Sequence, residues 1–567
     1  MDNSSKNGRV LIIGLDGASP DLVRKWQDTL PNLSRLMQEG STGVLTSVVP
    51  PRSIPAWYCF ATGMNPAKLG VFGFSQRRPS TYDYTFANFS FCQAPPFWHW
   101  LNQQELNTGI IHLPGTYPPR PIQGFMVSGW PGPLNRGNLV FTYPAVLSRE
   151  IDSFLQRPFE LVSPKSIQLD NDTEMLAERL RILKMHGDTA CHLLQREAWQ
   201  VAVVVLSPLD RASHQFWRHM DSDHPQHDPV LAKQHGTALQ QVYEASDNQI
   251  GRLLNLLRED DWVFIVSDHG FGPIYRTFYI NEWLRQEGYL VLKEGRQIGQ
   301  ASSLHKWLGK LSAPLFWLNQ RSALFRKIAD PFKKRALSNL ARDAYVQAMQ
   351  EGLVRLNHLP VDWTRTRAYS PDESSLYLNL VGRDPQGIVP QGETAVKLLT
   401  EIEQKLRQIK DPITGEPISV QIHRKEAVYS GPFLAGAPEL IINMDDFHTE
   451  VMAELGKGYL FDHAPLRSGN HTPEGILIAA GPDMAPGQNI DANLIDIAPT
   501  VLHLLGLAIP EAMDGQVCLD LFTPDSAVRQ REIKYDSSQY QARQSEEFTE
   551  EEAAQIEKQL RDLGYLN

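Results

Sequence analysis

The chain has 567 residues, of which 42% are hydrophobic and 21% are charged, and its formal net charge is -11. A chain of this length and ordinary globular composition is too long for one compact core, so two or three domains are expected. The negative charge argues against a protein that binds a nucleic-acid polymer, which would need a basic surface. The four cysteines are scattered and indicate neither a disulfide framework nor a thiolate metal site.

The first residues of the chain and its hydropathy give an expectation for the cellular location of the protein. The first eight residues lack the apolar run of a secretory signal and lead directly into an apolar strand. No segment approaches the ~20 consecutive apolar residues that cross a bilayer. We therefore expect a cytoplasmic protein without a membrane span.

The pattern of apolar runs divides the chain into four parts. Residues 1–290 alternate strand-like runs with helical patterns, including a long amphipathic helix over 231–258. This alternation predicts an α/β fold, with a mostly parallel sheet sandwiched by helices. Residues 291–460, with basic helical stretches and short β-like segments, are interpreted as an inserted cap or lid; the alternative is a separate domain with its own role. The core pattern returns over 461–523, and a polar tail with a short helix follows over 524–567.

The first predicted strand runs into Asp16 and Gly17, and a helix over 21–39 and a strand over 43–49 follow it. Open parallel sheets bind ligands at the carboxyl ends of their strands, which makes Asp16 a candidate site residue. A single acid at such a position is usually the cap of the next helix.

Ser53 follows two prolines that end the second strand, and Pro55 fits the first turn of a helix running to about residue 62. Ser53 is thus predicted at or just before a helix N-terminus, where free N–H groups and the helix dipole favour an alkoxide or a bound anion. The alternative is an ordinary N-cap serine. Arg52 and Trp57 flank this position and are candidate substrate-binding residues.

Two further apolar runs end in an acid and a histidine. One is followed by Asp210 and His214, which are four residues apart and would share one face of a helix. The other is followed directly by Asp268 and His269, and this pairing of a carboxylate oxygen with an imidazole nitrogen suits Zn²⁺ or Mn²⁺. For this second run the alternative is a turn that merely contains Asp and His. Three strand-end acids, two of them with a nearby histidine, are harder to explain by helix capping alone.

Near the end of the core, His471 stands directly before another predicted strand, over 475–481. His463 is a competing candidate for the same role. The remaining histidines singled out, at positions 112, 219 and 503, are expected to be core or surface residues.

Taken in order, these segments resemble the alkaline phosphatase superfamily, and most closely the type I phosphodiesterase/nucleotide pyrophosphatase family. Each segment is weak alone, but the ordered set is specific and spans roughly residues 9–515. The segments are Ile-Gly-Leu-Asp16-Gly, Ser53-Ile-Pro-Ala-Trp, Thr62-Gly63-Met-Asn-Pro66, Asp210-Arg-Ala-Ser-His214, Ser-Asp268-His269-Gly and Gly469-Asn-His471-Thr-Pro-Glu-Gly475. The Gly-Asn-His-Thr-Pro setting matches the family and favours His471 over His463.

The resemblance implies an alkaline phosphatase-like core with two divalent metal ions. Zn²⁺ is the preferred ion, and Mn²⁺ and Fe²⁺ are the alternatives. One ion would be held by Asp210, His214 and His471, and the other by Asp16, Asp268 and His269 with the oxygen of Ser53 on it or between the two. Two ions roughly 4 Å apart can stabilise the attacking and the leaving oxygens of an in-line displacement. Ser53 would be the nucleophile and would form a phosphoryl-serine intermediate that water then hydrolyses.

The expected activity is metal-dependent hydrolysis of phosphate diesters or pyrophosphates, with a small phosphate ester as the substrate. The nearest alternative is a phosphomonoesterase or phosphonate hydrolase of the same superfamily, and the alternative from another class is a catalytically silent binding scaffold. Serine replaces the threonine that is common at the nucleophile position in this family, which keeps a hydroxyl group there. The sequence lacks Cys or Ser followed by x-Pro-x-Arg, so a sulfatase is disfavoured.

Overall fold

The computed structural model describes residues 8–78, 80–132, 140–162, 171–293, 361–538 and 552–556. Up to residue 293 the strands are β1 (Val10–Leu15), β2 (Ser41–Thr46), β3 (Ser75–Arg77), β4 (Tyr84–Phe86), β5 (Thr108–Ile111), β6 (Gly124–Val127), β7 (Thr142–Tyr143), β8 (Val201–Leu206), β9 (Trp262–Val266), β10 (Gly270–Pro273) and β11 (Arg276–Tyr279). The helices of this part are α1 (Pro20–Lys25), α2 (Pro31–Glu39), α3 (Ser53–Thr62), α4 (Pro66–Leu69), α5 (Phe97–Gln103), α6 (Leu147–Leu155), α7 (Asp172–Arg196), α8 (Pro208–Met220), α9 (Pro229–His235), α10 (Ala238–Leu254) and α11 (Ile280–Gln286).

From residue 361 onward, short strands dominate. They are β12 (Ala368–Tyr369), β13 (Ser375–Leu378), β14 (Val420–Arg424), β15 (Leu440–Met444), β16 (Thr449–Met452), β17 (Phe461–Asp462), β18 (Gly469–Thr472), β19 (Glu474–Ala480), β20 (Ala492–Asn493), β21 (Ile509–Pro510) and β22 (Tyr535–Asp536). The helices are α12 (Glu393–Leu406), α13 (Lys425–Val428), α14 (Ile497–Leu504) and α15 (Ala527–Gln530).

A nine-stranded sheet forms the centre of the molecule, in the order β20-β2-β19-β9-β1-β8-β5-β6-β7. Its middle, from β9 through β6, is parallel, whereas β19 and the edge strand β7 run antiparallel to their neighbours. The prediction of an α/β fold with a mostly parallel sheet sandwiched by helices is confirmed.

Strand β1 shows why this sheet is buried on both faces. Val10 and Ile12 pack into the apolar layer on one side, together with α3 and α14, while Leu11 and Ile13 pack on the other side with α7, α8 and α10. All four side chains are fully buried. Strands covered on both faces need a continuous apolar run rather than alternation, which is the pattern that the sequence has here.

A second sheet contains the strands β12-β13-β15-β16-β11-β17, with β14 paired to β15. It takes β11 from the part of the chain before residue 293 and the other strands from 368–462. The basic helical stretches expected within 291–460 lie largely outside the described residues. The interpretation of 291–460 as a cap or lid remains a prediction.

Two predicted helices are divided in the structure. The helix expected over 21–39 ends at Lys25 and starts again at Pro31, because the residue before a proline avoids helical geometry. The helix expected over 231–258 is interrupted at Gly236, between α9 and α10. Of the polar tail, residues 552–556 are helical, and the rest of the helix predicted there lies outside the described residues. No helix in the described ranges is long and apolar enough to cross a membrane.

Candidate active site

The carboxyl ends of the three central strands meet at one edge of the sheet. Gly14 of β1 pairs with Val205 of β8 on one side and with Val266 of β9 on the other. The residues that follow these strands therefore emerge side by side, as expected for ligand-binding loops of a parallel sheet. This register brings Asp16 and Asp268 together, and it brings the first turn of α8 next to them.

Ser53 is the first residue of α3, as the prolines around it predicted, and Arg52 is the N-cap residue with extended backbone geometry. The serine side chain is buried, and its Oγ lies 3.1 Å from Nε2 of His269. Its position places the hydroxyl at the positive end of the helix dipole. The nucleophile candidate and one histidine of the site are thus in direct contact.

A first group of ligand-type atoms is built on α8 and β18. The segment after β8 is helical, so Asp210 and His214 share one face, with Oδ1 and Nε2 3.4 Å apart. His471 adds its Nε2 at 3.2 Å from that oxygen and 3.1 Å from Nε2 of His214. These separations are close to the ~3.3 Å between neighbouring ligand atoms of a tetrahedral zinc site with bonds of about 2.0–2.1 Å.

A second group lies beside the first. Nε2 of His269 is 3.2 Å from Oδ2 of Asp268 and 3.7 Å from Oδ1 of Asp16. Ligand atoms of these three residues all lie within 4.8 Å of one another, and the same holds for Asp210, His269 and His471. The six acids and histidines predicted from sequence are therefore brought together in one buried cluster, in which His269 is common to two potential cation-binding groups.

The three histidines share a further feature: in each, Nδ1 faces a backbone carbonyl and Nε2 faces the interior of the cluster. A hydrogen bond from Nδ1–H to a carbonyl fixes the tautomer and the ring orientation and leaves the lone pair of Nε2 for a metal ion. The contacts are His214 Nδ1 to Gly469 O (2.7 Å), His471 Nδ1 to Pro51 O (2.9 Å) and His269 Nδ1 to Gly270 O (3.1 Å).

Because the acids of the second group are buried, their ionisation requires a positive charge nearby. Burial, and after it the charge of Asp210, raises the pKa of Asp16 well above its usual value; burial and then Asp16 do the same for the pKa of Asp268. Oδ1 of Asp16 and Oδ2 of Asp268 are buried, and neither accepts a hydrogen bond from any residue that the structure describes. Buried carboxylates are stable only when paired or when they coordinate a metal, so these two orphan oxygens fit a cation.

The remaining acid of the cluster and two of its histidines are in the protonation states that suit a bound cation. Burial alone would raise the pKa of Asp210, but the contacts of its carboxylate with His214 and His471 hold that pKa well below its usual value. Burial lowers the pKa of both His269 and His471, which keeps their rings neutral. Neutral imidazoles and an ionised carboxylate are the states in which these side chains bind divalent ions.

A two-stranded antiparallel ribbon brings His471 to the other residues. β10 pairs with β18 so that Phe271 stands opposite His471. The rings of His269 and His471 stack with their centres 3.7 Å apart. The sequence predicted a strand after His471 but not this ribbon, because Gly270-Phe271-Gly272-Pro273 has no apolar alternation that would identify it.

The two candidate substrate residues and the competing histidine have different surroundings. Arg52 is buried, and its Nη1 lies 3.0 Å from Oδ2 of Asp372. Trp57 is fully buried in the apolar layer beneath β1, where a Cβ at Gly14 would lie 2.6 Å from its ring, so it has no face open to a ligand. His463 lies next to the charge of Asp411 and belongs to neither cation-binding group of the described residues.

Comparison with known proteins decides the family. Residues 10–472 match the profile described as type I phosphodiesterase / nucleotide pyrophosphatase. The chain belongs to this family. The family resemblance drawn from the ordered segments is confirmed, and the chain is a phosphoric ester hydrolase of the phosphodiesterase/nucleotide pyrophosphatase type.

Individual relatives are distant. No curated protein matches the chain. Among solved structures, it is similar to murine ectonucleotide pyrophosphatase/phosphodiesterase 5, an inactive variant in complex with AMP. The identity is 12%, the TM-score is 0.46, and the match covers 91% of this chain and 100% of that chain.

Proposed function

We propose that this hydrolase cleaves phosphate diesters or pyrophosphates through a covalent intermediate on Ser53 and uses two divalent metal ions, for which Zn²⁺ is the preferred identity. The observation that carries the proposal is the contact between the Ser53 hydroxyl and a buried cluster of three acids and three histidines. Two carboxylate oxygens of this cluster have no hydrogen-bond partner within the described part of the chain. A cluster with these donors matches the oxygen and nitrogen ligands of Zn²⁺ and Mn²⁺.

The residues divide into two ligand sets. Asp210, His214 and His471 would hold one ion, and Asp16, Asp268 and His269 the other, with Ser53 next to the second. The ions would supply positive charge that favours ionisation of the serine hydroxyl and offsets the charge on the phosphoryl oxygens. Because each Nδ1 is held by a backbone carbonyl, the rings need no rearrangement to present Nε2.

Ser53 is suited to attack phosphorus by its place in the fold. Its Oγ forms the bond to phosphorus, and the bond to one ester oxygen breaks, which releases an alcohol and leaves a phosphoryl-serine that still carries the other ester group. The free N–H groups at the start of α3 stabilise negative charge on the serine oxygen. The contact of Ser53 Oγ with Nε2 of His269, 3.1 Å, places the hydroxyl next to the nitrogen that would hold the second ion. Water then replaces the serine oxygen and restores Ser53.

Arg52 is proposed to bind a non-bridging oxygen of the substrate. It directly precedes the nucleophile, and its buried Nη2 has no hydrogen-bond partner among the described residues. A guanidinium donates to phosphate oxygens in a fixed planar geometry, and this suits the recognition of a phosphoryl group at Ser53.

The test compares bis-p-nitrophenyl phosphate with p-nitrophenyl phosphate on the purified chain with Zn²⁺ or Mn²⁺. The expected result is faster turnover of the diester, with loss of turnover in Ser53→Ala. Acid quenching during turnover should trap one p-nitrophenylphosphoryl group on the peptide that contains Ser53. Faster turnover of the monoester would overturn the diesterase assignment, and an active Ser53→Ala variant would overturn the role of the serine.

A further inference from the structure

Two adjacent acids of the second sheet each hold an arginine next to the active site. Asp372 and Glu373 lie in the connection between β12 and β13. Oδ2 of Asp372 pairs with Nη1 of Arg52 at 3.0 Å, and Oε1 of Glu373 pairs with Nη2 of Arg467 at 2.7 Å. One dipeptide of the second sheet therefore contacts two separate segments of the site.

The two segments carry different residues of the site. Arg52 directly precedes Ser53, and Arg467 lies shortly before His471 on the chain that enters β18. Ser468, which follows Arg467, donates its backbone N–H to the carbonyl oxygen of His214 at 2.7 Å. Through these two arginines, the dipeptide is linked both to the nucleophile segment and to the segments that carry candidate cation ligands.

The Arg52–Asp372 pair is held from several directions. Both side chains are largely buried, and the other carboxylate oxygen of Asp372 accepts a hydrogen bond from the hydroxyl of Ser375. The backbone of Gly73 closes over the pair: a Cβ there would lie 2.7 Å from Oδ2 of Asp372 and 3.0 Å from Nη1 of Arg52. A guanidinium fixed in this way has one orientation, so the direction of its second nitrogen is set by Asp372.

The second guanidinium nitrogen of Arg52, Nη2, does not contribute to the ion pair with Asp372. Nη2 of Arg52 is buried and donates to no group of the described residues. A buried donor without an acceptor is unfavourable, and an ion pair that served only to join the two sheets would gain nothing from leaving it so. A phosphoryl oxygen of the substrate would be the missing acceptor.

We propose that Asp372 is a positioning residue of the active site: it orients Arg52 so that Nη2 receives the substrate phosphoryl group, and the second sheet thereby takes part in substrate recognition. The inference rests on the proposed function of Ser53 and Arg52. It gives a specific role to an acid that is more than 300 positions from the nucleophile in sequence.

The test is a kinetic double-mutant cycle with bis-p-nitrophenyl phosphate, using Asp372→Asn, Arg52→Met and the double variant. Each single substitution should lower kcat/KM by about 10- to 100-fold, mainly through a higher KM, because a charge-assisted hydrogen bond to the substrate is lost. In the Arg52→Met background, Asp372→Asn should change kcat/KM by less than about twofold, since its effect passes through Arg52.

A matched control separates positioning from stability. Asp384 belongs to the same part of the chain and forms a similar buried ion pair, at 2.6 Å, with Arg77 of β3. Asp384→Asn should lower the melting temperature and leave KM unchanged. Arg52→Lys provides a variant that keeps the charge next to Asp372, and hence the fold, but has no second nitrogen; its KM should rise.

Three outcomes would overturn the inference while leaving the hydrolytic activity and the role of Ser53 intact: an unchanged KM in folded Arg52→Lys, which would also remove the role of Arg52, an equal loss from Asp372→Asn with and without Arg52, or an equal rise in KM from Asp384→Asn. If the wild-type chain did not turn over the diester, the proposed function and the inference would both fall. The Ser53→Ala control distinguishes these cases, because it reports on the nucleophile alone.

Discussion

Nδ1 of His471 donates a hydrogen bond to the carbonyl oxygen of Pro51 across 2.9 Å. Pro51 lies two residues before Ser53, so the backbone that carries the nucleophile also orients a ring of the cluster. Conversely, a shift of His471 would move the segment that begins α3. The nucleophile and the first ligand group therefore form one structural unit, and a change in either is expected to affect both.

The first prediction concerns the hydroxyl itself. Ser53→Ala removes the oxygen that contacts His269 and should lower diester turnover by about 10³-fold or more, because the covalent route is lost. Ser53→Thr is the matched variant, since it keeps a hydroxyl at the same helix terminus. It should retain turnover within about tenfold of the wild type. Steady-state assays of both variants, after their melting temperatures are found to be similar, make the comparison; equal losses would argue against a nucleophilic hydroxyl.

The second prediction concerns metal removal and Asp268. Burial, followed by the charge of Asp16, raises the pKa of Asp268 in the metal-free protein. Stability linked to its protonated form is present at low pH and is lost as the pH rises through the raised pKa. Asparagine cannot ionise, so metal-free Asp268→Asn should be more stable than the metal-free wild type at neutral pH, by about 1 kcal/mol or more.

With metal added, the wild type should become more stable than Asp268→Asn. A site at a hundredfold excess of ligand over Kd stabilises the fold by about 2.7 kcal/mol, and Asp268→Asn should lose most of this gain. Thermal unfolding with EDTA and then with Zn²⁺ or Mn²⁺ measures both effects. If the wild type and the variant respond to metal alike, Asp268 is not a ligand.

The third prediction concerns Gly17, which follows Asp16 with φ +72°. A Cβ at this position would lie 2.8 Å from the ring of Phe271, and that ring packs against His471 with centres 5.3 Å apart. Gly17→Ala should therefore displace Phe271 and, through it, the histidine. Metal content and turnover should fall, the latter by about tenfold or more.

Gly288 provides the control for this substitution. Its φ is +74°, but apart from its chain neighbours no atom of the described ranges lies within 4 Å of a Cβ built there. Both alanine variants pay the strain of left-handed backbone, about 1–2 kcal/mol. Only Gly17→Ala also disturbs the cluster, so Gly288→Ala should bind metal and turn over substrate like the wild type. Similar activity losses in the two variants would show that backbone strain alone is responsible.

Much of this arrangement could be predicted because it follows from local pattern. Asp16 and Asp268 lie together because β1 and β9 are adjacent parallel strands, and strand-end acids of such a sheet share one edge. Asp210 and His214 share a helical face because they are four residues apart. In these cases sequence spacing and sheet geometry are sufficient.

The remainder depends on contacts between distant parts of the chain. The β10–β18 ribbon pairs two glycine-containing segments without apolar alternation, so the sequence could not indicate the partner of His471. Asp372 reaches Arg52 from a loop of the second sheet, and an acid in a loop carries no local signal of its partner. Trp57 is a candidate for substrate contact from its place near Ser53 in sequence, but packing beneath β1 leaves none of its surface exposed.

The last prediction is a pH dependence of folding outside the cluster. Burial lowers the pKa of His186 from 6.5 to about 4, because the ring is enclosed next to His112 and Phe159; the hydrogen bond of its Nε2 to the carbonyl oxygen of Glu160 opposes this shift without cancelling it. Between these two pKa values the unfolded chain binds a proton that the folded chain does not. Stability contributed by the neutral ring is therefore present above pH 6.5 and is lost as the pH falls toward 4.

His186→Gln isolates this contribution, since glutamine cannot titrate but retains an N–H donor for the carbonyl of Glu160. On lowering the pH from about 7.5 to about 5, the wild type should lose about 2 kcal/mol more of its free energy of unfolding than the variant does. Urea unfolding of both proteins at the two pH values measures this difference. An equal pH dependence in the two proteins would mean that His186 is already protonated in the folded state, or that water reaches its ring.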